Sequence, residues 1–122
     1  MNLGQKGESL VANHYQQLGY KLLERNYIFP RGKQVGEIDL IFQKDNELVF
    51  VEVKARSNNK FGGPFESVDI FKQRKLIKTV KLYLRQHPKF QTSNYRIDVA
   101  GVDIDNRAEP VIILVNAIED TD

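Results

Sequence analysis

The sequence contains no cysteine, no tryptophan and only two histidines among its 122 residues. Without cysteine, neither disulfide bonds nor thiolate-bound zinc can contribute to the fold. Any metal site must therefore be built mainly from carboxylates. Oxygen ligands of that kind suit Mg²⁺ or Mn²⁺ rather than Zn²⁺.

Long hydrophobic runs are also missing, and no window approaches the length of a membrane span. The first residues are polar and include Lys6 and Glu8, whereas a signal peptide needs an apolar stretch there. We therefore expect a soluble, cytoplasmic protein without membrane contact. The formal net charge of +2 is too small to indicate a partner, so the distribution of charge matters more.

The hydrophobic content of 41% is sufficient for a core, and no repeat or linker interrupts the sequence. We expect one domain over residues 1–122. Apolar residues at helical spacing predict two helices, over about 3–18 and 67–86. Other segments have the pattern of strands, over 20–29, 37–43, 48–55, 95–102 and 111–115. This order predicts an α/β fold with a mixed central sheet flanked by helices.

The predicted hairpin carries the most informative residues. Side chains alternate along a strand, so Glu52 and Lys54 project from the same face of an otherwise hydrophobic segment. A tight turn between the two strands places Asp39 opposite Glu52 and Glu37 opposite Lys54. Carboxylates at about 5 Å destabilise a sheet unless a cation or a proton lies between them. The pattern therefore favours a divalent metal held by Asp39 and Glu52.

The triplet Glu52-Val53-Lys54 alone is more typical of the polar face of an amphipathic strand than of a metal site. The presence of Asp39 across the hairpin, within a second apolar strand, favours the metal site. Phosphodiester cleavage needs this combination, because a bound Mg²⁺ activates water and an adjacent ammonium stabilises developing negative charge.

These residues resemble the PD-(D/E)xK (restriction-endonuclease-like) nuclease superfamily, whose core is a helix, three strands, a helix and a strand. Asp39 and the triplet that begins at Glu52 match its motif, with Ile38 at the position of the motif's proline. Residues 36–41, 49–56 and 61–64 also resemble the YraN family of small bacterial proteins. The likeness extends over essentially the whole chain.

The resemblance implies a role for each matching residue. Asp39, Glu52, Glu8 and the backbone carbonyl of Val53 would bind metal, Lys54 would be the catalytic lysine, and Gln73 would match a helical site residue of related nucleases. It also implies Mg²⁺- or Mn²⁺-dependent hydrolysis of DNA. Likeness to junction-resolving relatives favours branched or recombination-intermediate DNA as substrate and a homodimer as the assembly.

Basic residues could bind the nucleic acid. The second predicted helix has six cations with no acid between them, and either a phosphate-binding face or a solvated surface explains this pattern. The helix residues assigned to nucleic-acid binding are Lys72, Arg74, Lys75 and Lys78. Arg31, Lys33 and Arg56 flank the predicted site and are assigned the same role.

Two other functions remain open from the sequence. The chain could be a non-catalytic nucleic-acid-binding module with a nuclease-like fold, or a protein-interaction domain whose Asp39 and Glu52 are surface residues. Asp98 is a weaker candidate ligand, for which pairing with a nearby arginine or lysine explains the acid equally well. His14 and His87 fall on apolar stripes, and we expect both to be structural.

Overall fold

The computed structural model describes residues 1–29, 36–56 and 69–119. This part of the chain forms two α-helices, five strands and a short 3-10 helix. In chain order they are α1 (Leu3–Gln17), β1 (Lys21–Ile28), β2 (Glu37–Lys44), β3 (Glu47–Arg56), α2 (Ile70–Gln86), the 3-10 helix (Pro88–Phe90), β4 (Asn94–Asp103) and β5 (Val111–Leu114). The predicted α/β order is confirmed.

The five strands form one mixed sheet in the order β1-β2-β3-β4-β5. β3 and β4 are parallel, and the other neighbouring pairs are antiparallel. Parallel neighbours need a crossover connection, which here contains α2. The restriction-endonuclease-like core of helix, three strands, helix and strands is therefore present.

Alternation along the strands gives the sheet a hydrophobic core on each face. On one face, Val11 and Tyr15 of α1 pack with Val49 and Val51 of β3. On the other face, Leu76, Val80 and Tyr83 of α2 pack with Leu48 and Phe50 of β3. β3 is thus buried on both faces. Glu52 and Lys54 continue the alternation of the α2 face.

Helix α1 begins where the sequence predicts and is capped by side chains. The Asn2 carboxamide oxygen accepts the Gln5 N–H at 2.8 Å, and the Gln5 side chain accepts the Asn2 N–H at 3.1 Å. This reciprocal pair satisfies two backbone donors of the first turn. Beyond the helix, Gly19 has φ +95°, as expected for a glycine that ends a helix.

Two glycines, one for each helix, allow the helices to approach the sheet closely. A Cβ at Gly7 of α1 would lie 2.6 Å from the Cβ of Ala55 in β3. A Cβ at Gly36, which precedes β2, would lie 2.7 Å from Oγ1 of Thr79 in α2. Both contacts are too short for any larger residue without a shift, so these glycines set where the helices lie beside the site.

Helix α2 begins later than predicted. Its N-cap is Asp69, whose carboxylate accepts the Lys72 N–H at 2.9 Å, and the helix starts at Ile70 rather than near residue 67. A side chain that caps the first turn competes with continuation of the helix toward the N-terminus, which fixes the start here. The remaining predicted positions before it, 67 and 68, lie outside the described residues.

A buried polar network connects α1 to β4. The carboxylate of Asp98 is fully buried and accepts hydrogen bonds from the Tyr15 hydroxyl at 2.7 Å, Arg96 Nε at 3.0 Å and the Asn116 N–H at 2.8 Å. The expected pairing of Asp98 with an arginine is confirmed. Asp98 is therefore satisfied by protein groups on the α1 side of the sheet.

Among the described residues, no helix is long and apolar enough to cross a membrane.

Candidate metal and nucleic-acid site

The hairpin register agrees with the prediction over its regular part. Pairing runs from Lys44 with Glu47 to Leu40 with Val51, leaving a two-residue turn in which Asp45 has φ 53°. The next pair in this register would be Asp39 and Glu52.

The regular ladder does not continue to that pair. The Val53 N–H donates to Oδ2 of Asp39 at 2.7 Å, so a side chain takes the place of a backbone acceptor. Beyond this point β2 still pairs with β1 as far as Glu37, and β3 still pairs with β4 as far as Arg56. The two strands thus separate at Asp39 and Glu52. The predicted ladder pairing of Glu37 with Lys54 is not formed, because the strands have already diverged.

Two carboxylates share the fork between the strands, and both are largely withdrawn from water. Asp39 is 9% exposed, and the side chain of Glu52 is 20% exposed. Burial, followed by the negative charge of Glu52, raises the pKa of Asp39 to about 8. Burial also raises the pKa of Glu52, although the Lys54 ammonium opposes that shift. The fork therefore favours a proton or a cation between these acids.

Lys54 lies beside the acid pair. Its Nζ is 3.6 Å from Oε1 of Glu52, and its side chain is 16% exposed. Burial and contact with Lys72 lower the pKa of Lys54, whereas Glu52 raises it. The structure thus brings Asp39, Glu52 and Lys54 together, as the sequence predicts.

Glu8 is close enough to the fork to raise the pKa of Asp39. Its Oε1 accepts a hydrogen bond from the Asn26 carboxamide at 3.2 Å. Asn26 has φ 51° in β1, and nothing in the sequence pattern predicted it as a partner of Glu8. Over the ranges that the structure describes, no three Asp, Glu or His side chains are gathered closely enough to form a metal site. The assignment of Glu8 as a ligand stays a prediction.

A pocket of about 210 Å³ lies between the fork and the first turns of α2. Its lining residues are Gly36, Glu37, Glu52, Lys72, Lys75 and Leu76. Two lysines predicted to bind phosphates therefore share a cavity with a predicted metal ligand. The sequence placed Lys72 and Lys75 on a helix face but could not place that face beside Glu52.

The other basic residues of α2 extend away from this pocket. Arg74 and Lys78 line a second cavity of about 320 Å³ together with Ile77 and Lys81. Gln73 is half-buried and does not line the pocket beside Glu52, and its predicted site role stays a prediction. Arg31 and Lys33, the loop at 61–64 and the Arg56 side chain lie outside the described residues.

The residues at the fork fit a divalent cation that prefers oxygen. Asp39 and Glu52 provide two carboxylates whose charges are otherwise unfavourable when buried together, and the predicted third oxygen is the carbonyl of Val53. This donor set contains no sulfur or imidazole, so it suits Mg²⁺ or Mn²⁺.

Fold and site together define a class: a mixed α/β protein of the restriction-endonuclease-like type with two acids and a lysine at the fork of a hairpin. The family model described as "Uncharacterised protein family UPF0102" matches residues 7–102. The chain belongs to this family, which is the YraN family that its motifs resemble.

Individual relatives support the same assignment. A UPF0102 protein of Vibrio parahaemolyticus is 43% identical over 100 residues, which cover 82% of this chain and 79% of the relative. A UPF0102 protein of Chlorobium chlorochromatii is 44% identical over 102 residues, covering 84% and 74%. A UPF0102 protein of Stutzerimonas stutzeri is 36% identical over 116 residues, covering 95% and 93%.

Proposed function

We propose that this protein is a metal-dependent nuclease that hydrolyses phosphodiester bonds in DNA. The observation that carries the proposal is the position of Lys54, 3.6 Å from Glu52 at a fork where Asp39 is buried with it. Two desolvated acids lower the stability of the folded protein. Acid pairs in a cleft with perturbed pKa values are typical of functional sites. The adjacent ammonium is the group that cleavage of an anionic substrate requires.

Asp39 and Glu52 would hold the ion, which supplies Lewis acidity and an activated water when bound. The Asp39 carboxylate keeps its bond to the Val53 N–H and so holds its remaining oxygen toward Glu52. Lys54 Nζ donates hydrogen bonds to the attacking water or to the phosphate, stabilising the negative charge that develops there. The lysines of α2 bind the substrate backbone, and burial of the acids limits the access of bulk water.

The test compares the wild type with Glu52→Gln, Lys54→Ala and Lys21→Gln on linear duplex, single-stranded, flap and four-way-junction DNA, and on RNA, with Mg²⁺ or Mn²⁺. We expect cleavage by the wild type and a loss of about 100-fold or more in kcat for Lys54→Ala. Lys21 lies on β1 at the hairpin-turn end of the sheet, away from the fork, so Lys21→Gln is a matched loss of charge that should retain activity. Absence of cleavage by the wild type on every substrate, or full activity in both site variants, would refute the proposal.

Branched DNA is the substrate we favour, on likeness to junction-resolving relatives, which also favours a homodimer. In the same assay, a higher kcat/KM on the four-way junction than on linear duplex supports this specificity. Light scattering of the purified protein, which gives the molar mass in solution, tests the dimer independently.

A second candidate is a non-catalytic nucleic-acid-binding module. It is favoured by the absence of a third acidic or histidine ligand at the fork within residues 1–29, 36–56 and 69–119. A wild type that binds DNA, but cuts none of the substrates with either ion, would support this alternative.

A further inference from the structure

The pocket between the fork and α2 has one acidic wall and one basic wall. Glu37 and Glu52 come from the sheet, and Lys72 and Lys75 come from the helix. Its volume of about 210 Å³ accommodates a phosphate group with its ester oxygens. The pocket therefore suits one linkage of a nucleic-acid backbone.

The start of α2 fixes Lys72 at this wall. Asp69 caps the helix by accepting the Lys72 N–H, which sets the first turn. Leu76 lies four residues later, on the same side of the helix, and is 5% exposed against the sheet. The side chain of Lys72 thus leaves the helix on the side that faces the fork.

Lys72 and Lys54 lie beside the same carboxylate of the fork. Lys54 Nζ is 3.6 Å from Oε1 of Glu52, and Lys72 lines the same pocket as Glu52, close enough to Lys54 to lower its pKa. Two neighbouring ammonium groups repel each other unless an anion lies between or beside them. A divalent cation held by Glu52 and Asp39 would engage both carboxylates and weaken their compensation of the two lysines. The metal-loaded site would therefore carry an excess of positive charge and favour an anionic ligand.

We propose that Lys72 is a second phosphate-binding ammonium of the site, that it holds with Lys54 the non-bridging oxygens of one phosphodiester, and that this makes DNA binding and divalent-metal binding cooperative. The inference rests on the proposed function for its metal and its ligand class. It adds to that function the pairing of Lys72 with Lys54 on one phosphodiester, and a thermodynamic coupling that metal binding and a catalytic lysine alone do not require.

The experiment measures binding of a short fluorescein-labelled single DNA strand by fluorescence anisotropy, in EDTA and in Ca²⁺ at constant ionic strength. Ca²⁺ takes oxygen ligands, and a gel shows whether the probe stays intact. The proteins are the wild type, Lys72→Gln, Lys72→Arg and Lys21→Gln. We expect Ca²⁺ to strengthen wild-type binding about tenfold, within the usual range for coupled sites. Lys72→Gln should lose most of this gain, whereas Lys72→Arg and Lys21→Gln should keep it.

A purely general electrostatic role predicts another result, namely that Lys72→Gln weakens binding by the same factor in EDTA and in Ca²⁺. That outcome, or no weakening at all, overturns the inference. Calorimetry of Mn²⁺ binding without DNA tests whether the substitution damages the metal site. Lys72→Gln should bind Mn²⁺ at least as tightly as the wild type, because it removes a positive charge near the ion, and clearly weaker binding contradicts the assignment.

The two proposals fail in different ways. If no DNA is cut but the Ca²⁺-dependent gain depends on Lys72, hydrolysis is refuted and the phosphate site stands. If DNA is cut and Lys72→Gln retains the full gain, only the role of Lys72 is refuted.

Discussion

The carboxylate of Asp39 accepts a hydrogen bond from the backbone N–H of Val53 at 2.7 Å. Val53 lies between Glu52 and Lys54 in β3, so this bond fixes both neighbours relative to Asp39. A side-chain acceptor at the end of the β2–β3 ladder also satisfies a part-buried N–H that the diverging backbone of β2 no longer accepts. The side chain of Asp39 therefore connects β2 to β3 at the point where the ladder ends.

The acid pair should make stability depend on pH when no metal is bound. The pKa of Asp39 is about 8 in the folded protein, against an ordinary value of 3.8. The folded state therefore holds a proton that the unfolded state releases, and the free energy of unfolding in EDTA should fall as the pH rises from about 4 to about 8. Each unit of pKa difference corresponds to about 1.4 kcal/mol. Urea unfolding followed by circular dichroism at several pH values measures this slope.

Asp39→Asn is the control for this effect. The amide oxygen can still accept the Val53 N–H, but the side chain no longer ionises. The variant should show a smaller dependence of stability on pH and should be at least as stable as the wild type near pH 8. Identical slopes for both proteins would contradict the assigned pKa of Asp39.

Divalent metal should stabilise the folded protein through Asp39 and Glu52. Mn²⁺ at about 100 times its Kd should raise the free energy of unfolding by about 2.7 kcal/mol, since the unfolded chain has no formed site. Glu52→Gln should lose this stabilisation. Binding displaces protons from the acids, so Mn²⁺ affinity should increase as the pH approaches 8. Thermal unfolding and calorimetry in buffers of different ionisation enthalpy measure these effects; equal stabilisation of wild type and Glu52→Gln would count against the site.

Gly7→Ala should destabilise the protein by overpacking the contact between α1 and β3. The added Cβ would lie 2.6 Å from the Cβ of Ala55, so the helix or the strand must shift, at a cost of about 1–3 kcal/mol. Gly4→Ala is the matched control in the same helix, because its Cβ meets only the Asn2 side chain at 3.5 Å. Urea unfolding should show a clear loss for the first variant and none for the second.

Replacement of the contacting residue provides a further check. If the clash with Ala55 is the cause, adding Ala55→Gly should recover part of the stability lost in Gly7→Ala, with a coupling energy of about 0.5–3 kcal/mol. Strict additivity of the two substitutions would show that the close approach of α1 to β3 is not responsible.

The buried network around Asp98 should matter for stability and not for metal binding. Asp98→Ala removes the acceptor of three donors, of which Arg96 keeps its ion pair with Glu47, and each buried donor left unsatisfied should cost about 1–3 kcal/mol. Tyr15→Phe removes only one donor to Asp98 and should cost about 1 kcal/mol. In both variants Mn²⁺ affinity of the folded protein should equal that of the wild type, because Asp98 is satisfied on the α1 side of the sheet. A large loss of Mn²⁺ affinity in Tyr15→Phe would assign Asp98 to the site.

The secondary structure and the hairpin register were predictable because local pattern determines them. Alternation in β3 and a two-residue turn bring Asp39 and Glu52 to the same place, and both features can be read along a short segment. Helix α1 was also predicted closely, since apolar residues at helical spacing extend over 3–18 and Gly19 follows them. The start of α2 was not, because the strong cap at Asp69 follows a segment in which no residue pattern distinguishes helix from loop.

The fork and the basic wall of the pocket could not be predicted from the sequence. The fork depends on one hydrogen bond from the Val53 backbone to a side chain, and periodicity does not contain that information. The approach of Lys72 to Glu52 depends on how the crossover packs α2 against the sheet, which is a long-range property. Sequence pattern therefore predicted the acids and the lysine of the hairpin, whereas tertiary packing supplied their neighbours.

The two-residue turn at Asp45 and Asn46 makes the chemistry sensitive to chain length. Inserting or deleting one residue there would slide β2 against β3 by one position and turn Asp39 toward α1, while Glu52 would still face α2. No single ion could then contact both acids, although both strands would remain hydrophobic enough to pair. The turn is the part of the segment between Asp39 and Glu52 that lies outside the paired strands, so it is where an insertion would separate folding from function.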